Sequence, residues 1–258
     1  MPRHRAWFPT LLVVVYCCTS CVACTQAAAP TGPASTTTFP VASNSVDDLP
    51  LLELPVAPDA GDTCAILLSG DGGWSALDKA VASELNAHGI AVVGWDSLHY
   101  FWDARTPAGA ARDLDRVMRH YTHAWRKSKV LLLGYSQGAD TLPFMINRLP
   151  ADTARLVKAT VLIGMGSEAF FEFHLSHWIG TPKGGLPTRP EVMSGRLGSV
   201  LCIYGQDDDD SACRGLRGPG VREVALAGGH HFDGDYTSLT AAIVSALIPA
   251  ARRQRVTP

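Results

Sequence analysis

The chain has no long run of apolar residues and no cluster of positive charge. The N-terminal stretch from Ala6 to about Cys18 is interrupted by Pro9 and is too short to span a bilayer comfortably. Only 18% of residues are charged, the formal net charge is −2, and the lysines and arginines are scattered. That distribution gives no electrostatic footprint for nucleic acid. Cysteine is scarce where the chain should fold: four of the seven (Cys17, Cys18, Cys21, Cys24) precede residue 25, leaving Cys64, Cys202 and Cys213. Those three form no C-x-x-C pair, so a structural zinc site is not expected in the folded part. Internal repeats are absent, and so is a G-K-[ST] after the glycine-rich loop, which argues against a phosphate cradle. No cofactor is implied. What remains is 258 residues, 47% apolar, enough for one sizeable core and short for two.

The N-terminus reads as a targeting segment. Arg3, His4 and Arg5 form a basic start, the apolar stretch follows, and small residues come next. Residues 1–24 are therefore expected to be a signal peptide. Cys21-Val22-Ala23-Cys24 also resembles a lipobox, with Cys24 as the lipidated residue, and cleavage between Ala23 and Ala29 is the alternative. Either way the expectation is export to the periplasm, with or without a lipid anchor. Residues 25–50 are rich in Ser, Thr, Pro and Ala and read as a linker. The folded domain is expected over 51–251.

Within that domain strand-like and helix-like segments alternate. Strands are predicted at 51–56, 64–70, 90–96, 129–134, 158–164, 199–205 and 222–228, with helices at 75–88, from Thr106-Pro107, at 137–148 and at 236–249. Near-continuous apolar strands alternating with helices predict an α/β fold, with a mostly parallel central sheet and helices on both faces. Ligands in such folds bind at the carboxyl ends of the strands. About 35 residues separate the strands at 158–164 and 199–205, long for a structureless loop in a compact domain. The stretch at about 165–198 is therefore read as an insertion over the site, with a strand-like piece near 169–175.

Chemistry concentrates at those strand ends. Gly134-Tyr135-Ser136-Gln137-Gly138 follows one strand and opens a helix, the setting of a nucleophile elbow. The turn would hold Ser136 in a strained conformation, and side chains at 134 or 138 would collide across it. The helix start behind Ser136 offers N–H groups and a positive dipole end to a developing oxyanion. Donors are expected from Gln137 and from Asp71 or Gly72, in the glycine cluster Ser69–Trp74. The acid is sought in Asp207-Asp208-Asp209-Asp210, with Asp208 favoured and Asp207 next; spaced EF-hand ligands are not present. The base is sought in Gly228-Gly229-His230-His231-Phe232, with His230 ahead of His231. The order Ser, Asp, His is that of α/β-hydrolases. Cys202 and Cys213 flank the acid loop, and an oxidising compartment favours a bridge between them. Together these residues predict acyl transfer through a serine nucleophile.

The motifs SGDGGW (69–74), GYSQGAD (134–140), FEFHLSHWIG (171–180), Y-G-x-D-D-D-D-x-x-C (204–213) and GGHHFDGDY (228–236) resemble the VirJ/AcvB family of bacterial virulence-associated periplasmic proteins. The resemblance implies an α/β-hydrolase fold, a periplasmic location and a link to type IV secretion components. For AcvB-like members it also implies hydrolysis of lysyl-phosphatidylglycerol at the inner-membrane surface. A cationic headgroup would seek carboxylates, and Asp71, Asp140, Glu168 and Glu172 lie in or beside the motifs. Trp74 and Tyr100 are the aromatic candidates for substrate contact. The expected partner is thus a small-molecule or lipid ester. The alternatives are a general carboxylesterase or thioesterase and a non-catalytic periplasmic adaptor that keeps the fold.

Overall fold

The structure, a computed structural model, describes residues 45–173 and 184–248. The expected signal segment with Cys24, the linker as far as residue 44 and positions 174–183 of the insertion, Trp178 included, lie outside the described residues.

The elements in chain order are β1 (Leu51–Leu54), β2 (Thr63–Leu68), α1 (Ala76–Ala87), β3 (Ala91–Trp95), α2 (Ser97–Tyr100), α3 (Pro107–Ala124), β4 (Lys129–Tyr135) and α4 (Gln137–Asn147). The second half adds α5 (Ala151–Ala154), β5 (Val157–Ile163), β6 (Glu168–Ala169), β7 (Leu186–Pro187), α6 (Thr188–Val192), β8 (Ser199–Gly205), β9 (Val221–Leu226) and α7 (Tyr236–Leu247). Seven strands form one sheet in the order β1-β3-β2-β4-β5-β8-β9. All neighbours are parallel except β1, which runs antiparallel to β3 at the edge.

Period-two alternation divides the core. Cys64, Ile66, Leu68, Val130 and Leu132 face a layer that holds Leu114, Met118 and Leu142 of α3 and α4. Ala65, Leu67, Leu131, Leu133 and Tyr135 face the opposite layer, with Leu77, Val81, Leu239 and Ile243 of α1 and α7. A strand buried on both faces can be apolar throughout, which is why β2 and β4 read as unbroken runs.

Local signals set the helix starts. Thr106 Oγ1 accepts from the Gly109 amide at 3.0 Å, and Pro107 opens α3 where no N–H is needed. At α1 the Asp78 carboxylate accepts from the Ser75 amide and hydroxyl.

Two expectations change. The packed region begins before residue 51: Val46 and Leu49 are buried, and Arg116 binds the Asp48 carboxylate and the Ser45 carbonyl, so residues 45–50 lie on the domain instead of acting as linker. The strand expected near 169–175 is only the two residues of β6, paired with β7. The insertion also contains a short helix, α6, where Thr188 Oγ1 donates to the Gly166 carbonyl at 2.7 Å.

Candidate active site

Ser136 follows the last residue of β4 and precedes the first of α4, with φ 49° and ψ −120°. A non-glycine residue with positive φ is strained, and the neighbouring backbone enforces it. The Ser136 amide donates to Ile163 O at 2.9 Å, and the Gly138 amide donates to Ser69 O at 3.1 Å. Two glycines permit this crossing. A Cβ at Gly134 would lie 2.5 Å from the Gly138 carbonyl, and one at Gly138 would lie 2.5 Å from the Leu68 carbonyl oxygen.

The loops after β8 and β9 meet Ser136. His230 Nε2 lies 3.0 Å from Ser136 Oγ, and His230 Nδ1 lies 2.9 Å from Asp208 Oδ2. Asp208 is only 8% exposed, whereas Asp207, Asp209 and Asp210 are exposed. The reason is the turn: the Asp208 amide donates to Gly205 O, and the Ser211 amide donates to Asp208 O. The Cys202–Cys213 disulfide closes that loop. The β8 and β9 loops cross so closely that a Cβ at Gly205 would sit 2.1 Å from the Gly229 carbonyl oxygen.

These groups open onto a cleft of about 720 Å³. One wall is the Gly70–Gly73 turn, Ser75 and the start of α1; the other is Tyr135, His230, His231 and Tyr236. The glycine turn is closed by the Gly73 amide, which donates to Gly70 O at 3.1 Å. A Cβ at Gly70 would press on Ser136 Cβ at 3.3 Å, so its absence leaves room beside the hydroxyl. Asp71 and Gly72 line the cleft, and Gln137 is the first residue of α4, whose N–H has no acceptor within its own helix. Gln137 Nε2 also reaches the Phe170 carbonyl at 3.3 Å, tying the start of the insertion to the elbow.

A family model for bacterial virulence protein (VirJ) matches residues 62–251, most of the chain and every motif above. The chain belongs to the VirJ family. Among solved structures it is similar to the esterase Est1E from Butyrivibrio proteoclasticus, at 17% identity and TM-score 0.55 over 78% of this chain and 94% of that one. It is also similar to the Pyrococcus furiosus esterase Pf2001, at 11% identity and TM-score 0.54, over 76% and 87% of the two chains. The esterase domain of a Rhodothermus marinus protein aligns at 18% identity and TM-score 0.50, over 79% and 91%. No curated protein matches the sequence. The sheet order and these likenesses make the fold that of an α/β-hydrolase.

Several expected contacts of this VirJ-family chain lie elsewhere. His231 is not on Ser136: its Nδ1 lies 2.6 Å from the Tyr135 hydroxyl. Asp207 is exposed, and its amide donates to Gly228 O, so the turn directs Asp208 and not Asp207 to His230. Tyr100 is 1% exposed and donates to Asp113 at 2.7 Å, which makes it a core residue that does not line the cleft. The Trp74 ring lies over Gly94, where a Cβ would meet it at 2.5 Å, so it covers the sheet and does not line the cleft. Glu168 is exposed on β6 and packs on Gly185. Asp140 does not line the cleft; its Oδ1 accepts from the Gly166 amide at 2.7 Å, and burial pushes its carboxyl well above the ordinary carboxylate range.

Two tyrosines of the cleft, Tyr135 and Tyr236, lie inside the motifs but have no role in the motif reading. Alternation along β4 carries the signal for the first, since Tyr135 shares a face with Leu131 and Leu133. Tyr236 ends the GGHHFDGDY motif and opens α7.

Proposed function

We propose that this VirJ-family protein is a serine hydrolase that cleaves a carboxylic ester by acyl transfer. The observation that carries the reading is the unbroken line from Asp208 through His230 to a strained Ser136. In that reading Asp208 accepts from His230 Nδ1–H and so leaves Nε2 as the acceptor for the serine proton. Ser136 Oγ attacks the ester carbonyl carbon as His230 takes its proton. The amides of Gln137 and of Asp71 or Gly72 receive the charge on the carbonyl oxygen. His230 then returns the proton to the departing alcohol oxygen as the C–O bond breaks. Water, deprotonated by His230, attacks the acyl carbon; the bond from that carbon to Ser136 Oγ then breaks, His230 returns the proton to the serine oxygen, and the acid leaves.

The substrate we infer is an aminoacyl-phosphatidylglycerol, or a related lipid ester, met in the periplasm at the inner-membrane surface. Two features support it. The cleft volume suits an aminoacyl-glyceryl headgroup, not two fatty chains. Asp71 lines the cleft, and no lysine or arginine does so among the described lining residues, so a cationic acyl group meets no like charge. A role beside secretion components belongs to the same proposal.

The test uses purified protein and vesicles that contain lysyl-phosphatidylglycerol. Release of lysine, together with labelling by a fluorophosphonate, is expected from the wild type, and both should vanish in Ser136→Ala. Labelling without lysine release removes this substrate and leaves a carboxylesterase or thioesterase. No labelling at all leaves the adaptor.

A further inference from the structure

The mechanism uses one of two adjacent histidines and leaves the other in the cleft wall. His231 is exposed and lines the cleft beside His230, with ring centroids 5.4 Å apart. Its Nδ1 is held by the Tyr135 hydroxyl. Tyr135 is only 5% exposed, and its hydroxyl has no other acceptor among the described residues. A buried O–H without an acceptor is costly, so the phenol proton points at Nδ1. Burial also pushes the Tyr135 phenol above its ordinary value, which keeps it protonated. A neutral imidazole that accepts at Nδ1 carries its proton at Nε2. Nε2 itself has no protein acceptor among the described residues.

We propose that His231 is a specificity-determining residue, fixed by Tyr135 as the Nε2–H tautomer and donating to an oxygen on the alcohol half of the ester. The assignment to the alcohol half rests on the hydrolase reading above. The departing oxygen must lie on the His230 side of Ser136 Oγ, because His230 delivers its proton. His231 continues the same wall one residue further. Its donor therefore faces whatever the alcohol carries beyond the ester oxygen. A hydroxylated or phosphorylated alcohol supplies an acceptor there, and a plain alkyl alcohol supplies none. Tyr135 acts through His231 and is a positioning residue.

Two measurements test this. Nitrogen-15 shifts of the His231 ring in the wild type should show a protonated Nε2 and an unprotonated Nδ1 near neutral pH. Tyr135→Phe should shift that ring toward a tautomer mixture. A wild-type ring protonated at Nδ1 overturns the proposal. The second measurement is the ratio of kcat/KM for a glyceryl and an n-propyl ester of the same acyl group. His231→Phe should lower that ratio about tenfold, as loss of one hydrogen bond implies. His231→Gln, which places an amide N–H near the Nε2 position, should recover most of it, and Tyr135→Phe should lower it by less than His231→Phe. Taking a ratio removes general losses from misfolding. Hydrolysis of both esters with a ratio that His231→Phe leaves unmoved overturns the role of His231 and spares the hydrolase. A wild type that hydrolyses neither ester and fails to label at Ser136 removes the hydrolase reading, and this inference with it.

Discussion

Ser136 stands where backbone touches backbone, at the crossing of β4 and α4 against the end of β2, whereas Asp208 and His230 hang from the loops after β8 and β9. The nucleophile shoulder is held by amide–carbonyl bonds from Ser136 to Ile163 and from Gly138 to Ser69, with no room for a methyl group at 134 or 138. The acid–base shoulder is held by a turn, a disulfide and one close pass between Gly205 and Gly229. A strained hydroxyl needs a frame that cannot relax, which a close-packed parallel sheet supplies. An imidazole that exchanges protons with two partners needs only its orientation fixed. The two shoulders should therefore fail in different ways.

The largest effect is expected at the acid. Asp208→Asn keeps the shape but no longer holds the imidazole with its Nε2 as acceptor, and kcat should fall about 10⁴-fold on any ester the protein cleaves. Asp207→Asn, one residue away and exposed, should change kcat less than about twofold, within the range of ordinary surface substitutions. Equal losses in the two variants would erase the distinction between them. Next comes the staple. Replacing Cys202 and Cys213 together by Ser opens a loop with a separation of 11 residues and should cost about 3 kcal/mol in urea unfolding. Ester hydrolysis should weaken in step with the looser acid loop, while the Ser136 elbow keeps its shape. On the nucleophile shoulder, Gly138→Ala should cost about 2 kcal/mol, because its methyl group meets the Leu68 and Ser69 carbonyls. Gly72→Ala meets nothing within 4 Å and should stay within about 0.5 kcal/mol of wild type. An unfolding curve for Gly138→Ala that overlays Gly72→Ala would show that the crossing is not as tight as drawn.

The same division explains what could be read before the fold was known. The sheet was legible because β2, β4, β5 and β8 are apolar on both faces, and the elbow was legible because its glycines are dictated by backbone collisions. The chain order of Ser136, Asp208 and His230 was legible for the same reason, since each follows a strand end. Distance in the third dimension was not. Tyr100 and Trp74 carry aromatic rings beside motifs, yet one points inward to Asp113 and the other lies flat on Gly94. Choosing between Asp207 and Asp208 needed the turn that buries only the second. His230 ranks only narrowly ahead of His231 in the sequence; the contacts of His230 with Ser136 and Asp208, and of His231 with Tyr135, are what part them. The start of the packed region at 45 was missed because two apolar residues, Val46 and Leu49, sit in an otherwise polar tract.

Asp140 sharpens the comparison from the nucleophile side. Like Asp208 it is a shielded carboxyl near Ser136, but its partner is the Gly166 amide and not an imidazole. Burial raises its folded-state value, and the charges of Asp71 and Asp208 add to the effect. In the unfolded chain the same carboxyl ionises near its ordinary value. The favourable state is thus the protonated one: its contribution to stability is complete below the unfolded value, and it is lost as pH climbs from there through the folded value. Asn at 140 keeps an oxygen for the Gly166 amide and cannot ionise. Asp78, whose carboxyl is also raised by burial, behaves alike in both proteins and cancels from their difference. The melting temperature of Asp140→Asn minus that of wild type should therefore change little below about pH 4 and rise steadily as pH increases toward neutrality. Thermal melts across that range decide the matter. A difference that stays flat or falls with pH would mean that Asp140 is ionised in the folded protein and is stabilised by something other than the single amide at Gly166.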